Sequence, residues 1–421
     1  MNLKMSNRNS VEKREVDVAI IGGGPAGLSA AIELRQLGIR RIVVLERESE
    51  AGGIPRHCGH LPFGIREFKR LLTGPQYAKR LVAAAHKVGV ELRTSTTVVE
   101  ARFGGQLLLT SDSGIAEMEA RRVIYATGVR ETPRSARLIT GTRPHGVVNT
   151  GALQSMVSLK GRRPFERPVI VGTELVSFST IFTCRHAKIK PVGMIEESNR
   201  VTARWPAGLL PRIVGIPLYM DTRLIGIQGD KCVNAVEVED AQGNSRIIDC
   251  DGVILTGRFT PETSLARCGH LEVDPATGGP VVDQFGRCSD PKYFATGNVL
   301  RPVETAGWSW NEGRQTARWV AEDLEGNLPT PTTVLQIFTT DPFIKYSMPQ
   351  RIALPLMSYG MTRLQLRFSH NTKGNLVVLC GDDVVWKTHL NTHPERRVFV
   401  PIEQLVGNNK GNKIELIFVK L

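Results

Sequence analysis

A glycine spacing set between a strand and a helix constrains this chain more than any other feature. Val16 to Ile21 reads VDVAII, short, β-branched and almost wholly apolar. Such a segment suits a strand buried on both faces of a parallel sheet. GGGPAG follows at Gly22 to Gly27, then LSAAIELRQLG carries apolar residues at helical spacing to Gly38, a fitting C-terminal glycine. Arg41 to Leu45 (RIVVL) is the next strand, and Glu46 closes it, 19 residues beyond Gly27. Strand, Gly22-x-Gly24-x-x-Gly27, helix, strand and acid together predict a βαβ dinucleotide site. One glycine makes the tight turn, one lets the backbone approach a pyrophosphate, and one lets helix and strand pack closely. The helix N-terminus offers free N–H groups to phosphates, and Glu46 is placed to bond ribose hydroxyls.

The rest of the chain has a readable order. A polar lead-in over residues 1–14 is expected to be disordered. A helix is expected over Phe68 to Val88, and strands near 91–93, 97–102, 107–109 and 122–125. The last of these runs into Ala126-Thr127-Gly128. Residues 162–197 weakly repeat the first pattern, which indicates a duplicated mononucleotide fold. There Gly172 is followed by Glu174 and Ser177, so G-x-G-x-x-G has become G-x-E-x-x-S. A carboxylate at that place repels a pyrophosphate. Glu196 nonetheless lies 24 residues after Gly172, the interval from Gly22 to Glu46. Two readings stay open: a retained structural domain, or NAD(P) in a shifted pose. VILTG at Val253 to Gly257 ends the second unit, and YFATGN at Tyr293 to Asn298 returns the chain to the first sheet. From about Pro329 apolar residues alternate in period two between turn residues, the mark of an antiparallel β module. The expected fold is α/β. Its units are a first dinucleotide-binding unit over 15–158, a degenerate second over 159–275, a return segment over 276–328 and a C-terminal β module over 329–421.

Composition removes several function classes. The formal charge is +13, yet Lys and Arg are spread thinly, with no basic helix interleaved with aromatics, so nucleic-acid binding is not expected. Seven cysteines lie far apart with no CxxC among them, which writes neither a zinc knuckle nor an iron–sulfur ligand set. Free thiols fit a reducing cytoplasm. The N-terminus lacks the apolar stretch of a signal peptide, and no apolar run is long enough to span a membrane. No metal site is expected. His57, Cys58 and His60 in GGIPRHCGHLPFG offer few ligands and no others nearby.

With the glycine loop, the ATG and the YFATGN in order, residues 15–326 resemble the two-dinucleotide-fold flavoproteins of the pyridine nucleotide–disulfide oxidoreductase superfamily. The resemblance implies FAD on the first loop. It assigns cofactor contacts to Gly22, Gly24, Pro25, Ala26, Gly27, Glu46, Arg47, Gly53, Ile54, Val98, Ala126, Thr127, Gly128, Gly297, Asn298, Thr305 and Ala306. Asn298 replaces the family's aspartate, and an amide still donates and accepts hydrogen bonds. Relatives that reduce disulfides carry GG-x-C and a second Cys five residues later; here those positions are Pro55 and His60. A flavin-coupled disulfide is therefore absent.

GGIPRHCGH, the GVRETPRSARLITGTRPHGVVNTGALQ run and AGWSWNEGRQ are similar to FAD subunits of heteromeric amine and amino-acid dehydrogenases, of the opine oxidase, hydrogen cyanide synthase and sarcosine or proline dehydrogenase type. This implies oxidation of a small amine, amino acid or hydroxy acid by hydride transfer to flavin, within a complex of partner subunits. An NAD(P)H-dependent flavin reductase and a non-catalytic FAD-holding subunit remain alternatives. The catalytic candidates are His60, in the place of the flavin-proximal cysteine, and Cys58. Arg56, Trp308, Trp310 and the Arg130, Arg134, Arg143 patch are further candidates for substrate contact, and Glu304 for a bond near the flavin or a cap on the following helix.

Overall fold

The computed structural model describes residues 13–406 and 412–421; the expected disordered lead-in lies, but for its last two residues, outside them. Lys13–Ile21 is the central strand of the first sheet. It runs parallel to Ile42–Leu45 on one side and to Gly114–Tyr125 on the other. It starts earlier than its apolar run because Lys13 to Val16 pair with Glu117 to Ala120 at the far end of the long neighbour. Glu91–Arg93 extends one edge, and Gln106–Ser111 and Thr96–Arg102 form an antiparallel flap on the other. Tyr293–Ala295 returns alongside Val123 to Tyr125.

Successive residues of the central strand enter different cores, since side chains alternate across a sheet. Val18 and Ile20 pack with Leu28, Leu34, Phe294 and Val320 beneath two helices. Ala19 and Ile21 pack on the other face with Val43, Val123 and Tyr125. The two helices are Pro25–Gln36 and Ala306–Leu324. They meet closely at Gly313, where any Cβ is driven into the Ala26 carbonyl and the Ser29 hydroxyl. Buried Glu33 fastens them by accepting from Arg314 Nε at 2.6 Å and Arg318 Nε at 2.8 Å.

The expected helix over 68–88 divides. Ile65–Phe68 is one short turn, and the main helix, Gly74–Lys87, starts at a capping box between Thr73 and Gln76. Pro75 suits a first helical turn, where its missing N–H is no loss.

The second sheet is parallel in the order Leu218–Tyr219, Gly193–Ile195, Pro168–Val171, Gly252–Leu255 and Val147–Asn149. The chain crosses between the units at paired short strands, Val129–Glu131 and Phe259–Pro261. Residues 147–158, read from sequence with the first unit, hydrogen-bond and pack with the second. Ala266 and Leu271, read with the second, lie in the first unit's core. Turn signals mark where an element ends, not which sheet it joins.

The C-terminal module has two sheets. Five strands run in the order Arg351–Leu354, Thr333–Phe338, Lys413–Lys420, Thr372–Cys380 and Asp383–Thr392, and three more in the order Ile344–Met348, Arg363–Phe368 and Val398–Pro401. Pairing is antiparallel, with the exception of Gln336 to Phe338 beside Lys413 to Glu415. Leu335, Leu366, Leu376, Val400 and Leu416 fill the space between the sheets.

Candidate functional site

The first glycine loop divides its labour as its spacing predicts. Gly22 has φ 110°, and a Cβ there is driven into the Ala126 carbonyl. A Cβ at Gly27 meets the Gly22 carbonyl. Both glycines are required by the fold itself. Gly24 differs: its φ of −83° suits any residue, and a Cβ there meets only the Gly53 Cα, at 4.0 Å. That open face is where a pyrophosphate would approach the backbone. Gly24 caps the helix with no side chain, leaving the first N–H groups free for an anion.

The other assigned residues gather around this loop unequally. Gly53, at φ 62° and ψ −154°, is in backbone space open to glycine alone, and its Cβ would crowd Gly24. Gly297, at φ 74°, packs on Ala26. Ala126 donates to the Ile21 carbonyl at 2.9 Å. Glu46 accepts from the N–H groups of Gly23 and Glu48, each at 2.9 Å, which braces its carboxylate without using all its lone pairs. Pro25 and Ala26 open the helix, and Thr305 caps the helix that Ala306 begins. Val98 lies half-buried in the flap.

Five assignments meet a different environment. Arg47 is exposed and faces the Glu48 and Glu262 carboxylates, not the loop. Thr127 Oγ1 donates to the Glu262 carbonyl at 2.8 Å, and Gly128 accepts from Glu262 N–H at 2.8 Å, so both tie the crossover strands together. Asn298 spends both ends of its amide on the Glu304 backbone. Ile54, exposed, starts the short turn Ile54–His57.

That turn corrects the reading of Cys58. Its thiol is buried between the Ile54 carbonyl and Gln154 Oε1, both at 3.4 Å. Burial, and then the nearby Glu131 carboxylate, push it up to about 12. A nucleophile needs its thiolate, so Cys58 is a packing residue. His60 is half-buried beside Phe63 and Phe182, the latter from the second unit, with Nδ1 2.9 Å from the Leu61 carbonyl. Sequence reasoning weighed its neighbour His57 as a metal ligand alone. His57 Nδ1 is buried with no hydrogen-bond partner, as is Glu131 Oε1. Burial foremost holds the His57 imidazole below its ordinary range and pushes the Glu131 carboxyl above its own. The other Glu131 oxygen accepts from Gly151 N–H at 2.7 Å. No sequence motif marks this pair; its signal is burial.

The second loop copies the first bond for bond. Gly22 donates to the Leu45 carbonyl at 2.9 Å, and Gly172 to Ile195 at 2.8 Å. Gly52 donates to Gly23 as Ala203 does to Thr173. Glu46 Oε1 takes the N–H two residues on, and Glu196 Oε1 does the same with Ser198, at 3.0 Å. The divergence is at Glu174. Its carboxylate folds back over the loop, 3.2 Å from both Ser177 Oγ and Thr256 Oγ1. A Cβ at Gly172 falls 2.6 Å from one carboxylate oxygen, and at Gly257 another is nearer still. Glu174 fills the space that Gly24 leaves open. Glu196 is occupied as well, its second oxygen accepting from Thr173 Oγ1.

The C-terminal module reaches the first unit at Glu304. Gln365 Nε2 and Arg367 Nη2 approach Glu304 Oε1 at 3.3 and 3.2 Å, and Arg397 approaches Oε2 at 3.5 Å. Arg301 is fully buried between Glu312 and Gln365. Arg66 and Arg397 lie over the Trp308 ring at 4.6 and 4.0 Å, and Arg314 over Trp310 at 4.8 Å. Arg56 pairs with Glu50 at 3.1 Å. Within the Arg130–Arg143 patch, Arg130 pairs with Glu262, and Arg134 donates to the carbonyls of Ile139, Thr140 and Thr142. Those two charges support structure.

The residues fit the FAD that the resemblance implies. Beyond the open Gly24 face, Thr296 Oγ1 and Ser309 Oγ are buried with no partner, on either side of Gly297. Among the described residues no group of His, Cys, Asp or Glu suits a metal ion. No helix there is long and apolar enough to cross a membrane.

The sequence profile of the pyridine nucleotide-disulphide oxidoreductases matches residues 16–317. Mitochondrial dihydrolipoyl dehydrogenase of Caenorhabditis elegans is 23% identical over 351 residues, covering 73% of this chain and 68% of the relative. An opine oxidase subunit from Agrobacterium tumefaciens is 26% identical over 313 residues, covering 67% and 61%. Thioredoxin reductase of T. acidophilum superposes with a TM-score of 0.61 at 21% identity, over 74% of this chain and 99% of that one; at that identity the likeness is one of fold.

Proposed function

We propose, from the premise that this chain belongs to the pyridine nucleotide-disulphide oxidoreductase family and is an FAD-dependent oxidoreductase, that it oxidises a small amine, amino acid or hydroxy acid within a hetero-oligomeric dehydrogenase. The observation that carries this reading is the Glu174 carboxylate in the second loop. A reductase needs a pyridine nucleotide there, and a carboxylate opposes its pyrophosphate by charge and by volume. The reductant is then an organic substrate. A disulfide relay is ruled out separately, since Pro55 and His60 stand in the cysteine positions and no disulfide pair is present among the described residues.

FAD, when bound, supplies the acceptor for hydride. The chain's own residues seat it through Gly22, Gly24, Gly27 and Glu46. An amine or alcohol that gives up hydride must also give up a proton. His57 is suited to take it, being half-buried, held below its ordinary range chiefly by desolvation, and unpartnered at Nδ1. His60, with Phe63 and Phe182, borders the same stretch. The opine oxidase relative carries the name of one component of a larger enzyme, which supports the hetero-oligomer.

The test is anaerobic. The FAD-loaded protein is mixed with NADH, NADPH and a panel of amines, amino acids and hydroxy acids, and the flavin's visible absorbance is followed. Bleaching by a panel member is expected. Bleaching by NADH alone overturns the reading.

A further inference from the structure

The apolar residues between Ser198 and Met220 face two ways. Ala203 and Ile216, with half-buried Leu210 and Val214, pack into the second unit's core beside Ile181 and Met194. Trp205, Leu209 and Ile213, spaced four residues apart, are instead exposed by 84%, 43% and 76%. The turn Ala207–Leu209 runs straight into the short helix Leu210–Ile213, and together they carry two of the three. Single large apolar side chains on a surface are ordinary, whereas three on one short segment mark a contact face. The segment also holds Arg200, Arg204 and Arg212, and no acid occurs from Ser198 to Met220.

A cleft of about 680 Å³ opens beside this segment. Arg204, Trp205 and Leu209 line it from the second unit, and His393, Glu395 and Arg396 from the C-terminal module. Arg200 ties the two walls, donating to Glu395 Oε2 and Asn371 Oδ1, each at 2.7 Å. His393 Nδ1 lies 2.9 Å from the same Asn371 oxygen. Glu395, the one acid lining the cleft, is thereby matched. Arg204, Arg212 and Arg396 are exposed, and among the described residues their guanidinium groups make no hydrogen bond and no ion pair. Two of these unmatched cations and an exposed indole therefore border one cleft.

We propose that this face docks on an anionic lipid surface, with Trp205, Leu209 and Ile213 entering the headgroup layer and Arg204 and Arg396 taking a headgroup phosphate at the cleft. Composition and charge favour a lipid surface over a protein partner. A ring with an apolar body and a polar N–H suits the boundary between headgroups and acyl chains. Interfacial segments join such side chains to basic ones, as Trp205 adjoins Arg204 and Ile213 adjoins Arg212. The unmatched charges here are all positive, and the chain as a whole carries +13, so an anionic surface attracts it. A protein partner would need a carboxylate set against each cation, whereas a fluid headgroup layer brings phosphates to wherever the cations stand. Guanidinium groups bond phosphate through paired donors. This goes beyond the dehydrogenase reading and does not depend on it.

The experiment floats the full FAD-loaded chain with vesicles of phosphatidylcholine alone, and of phosphatidylcholine and phosphatidylglycerol in equal parts. Binding to the anionic vesicles is expected to be at least about tenfold tighter than to the neutral ones, and to weaken in salt. R204Q with R396Q is expected to lose at least about tenfold in affinity for the anionic vesicles, and W205S with I213S as much. K79Q and I247S, exposed controls on the helix Gly74–Lys87 and the strand Ser245–Asp249, retain wild-type binding. The substituted side chains are exposed, so the variants keep the fold, as an unchanged Tm and FAD content verify. Should the W205S pair unfold, I213S alone is expected to lose about threefold. Wild type that stays off the anionic vesicles overturns the proposal and leaves the face to a protein partner. Equal binding to both kinds of vesicle overturns it, as does wild-type affinity in either double variant. Vesicle binding needs no substrate, so flavin reduction by NADH alone sinks the dehydrogenase reading and leaves this one standing.

Discussion

Asn298 grips Glu304 by both ends of its amide. Nδ2 donates to the Glu304 carbonyl at 3.0 Å, and Oδ1 accepts from the Glu304 N–H at 2.8 Å. The loop from 298 to 304 is thereby closed before the helix at Ala306 begins. An aspartate could make only the second bond, and its other oxygen would face a carbonyl. N298D is expected to lower stability by about 1–3 kcal/mol, the cost of an unmade buried bond. Urea unfolding with and without FAD checks this. Equal stability of N298D and wild type would show the amide to be idle.

Cys58 is expected to be silent to alkylation. With its thiol at about 12, roughly one part in 10⁴ is thiolate at pH 8. Cys232 and Cys268 are exposed and should react within minutes under iodoacetamide. Peptide mass spectrometry reads all three in one sample. Rapid labelling of Cys58 in the folded protein would restore it as a reactive residue.

Glu174 makes a prediction about pH. Burial foremost, and then the Glu196 charge, raise its carboxyl above the ordinary 4.5. The folded chain therefore keeps this proton to a higher pH than the unfolded chain does. Stability from this group is full below the ordinary value and falls as pH rises through the raised one. E174Q, which keeps the shape without the charge, is expected to have a higher Tm than wild type at pH 7. The gap should close as pH approaches 4.5. A gap independent of pH, followed by calorimetry from pH 4.5 to 8, would assign the effect to packing.

Arg301 is fully buried and pairs with Glu312. Removing one member of such a pair strands the other charge, at about 3–5 kcal/mol. R301M should lose that much in chemical denaturation, and the double change R301M with E312M should recover part of it. Equal losses in the single and double variants would mean that the Arg301 stem, not its charge, holds the C-terminal module to the long helix.

What was legible in the sequence follows from how locally each feature is determined. Gly22, Gly27 and Gly172 are fixed by backbone geometry within a few residues, so their spacing announced two glycine loops. Glu174 was legible as an intruder because one carboxylate in a known loop has one consequence. Cys58 misled: its neighbours in sequence are histidines, but its neighbours in space are Ile54 and Gln154. His57 and Glu131 gained their interest from long-range burial, which no motif writes. Trp205, Leu209 and Ile213 sit in an apolar run that reads as core, and spacing does not say which of its sides meets solvent. The same limit moved residues 147–158 into the second unit, because the partner of Val147 lies at Val253.

Gly24 and Gly27 separate cofactor from fold in one experiment. At Gly24 a methyl group finds open space and an ordinary φ, so G24A should fold with stability within about 1 kcal/mol of wild type. The methyl group then stands on the face left for the pyrophosphate, and FAD affinity should fall at least about tenfold. At Gly27 the methyl group is driven into the Gly22 carbonyl, and G27A should lose about 1–3 kcal/mol of stability, as overpacking does. Fluorescence titration of FAD beside urea unfolding of the apoprotein reads both quantities. G24A that binds FAD as wild type does would move the pyrophosphate away from Gly24, whatever becomes of G27A. Unfolded G24A would instead give that glycine the same structural duty as Gly27.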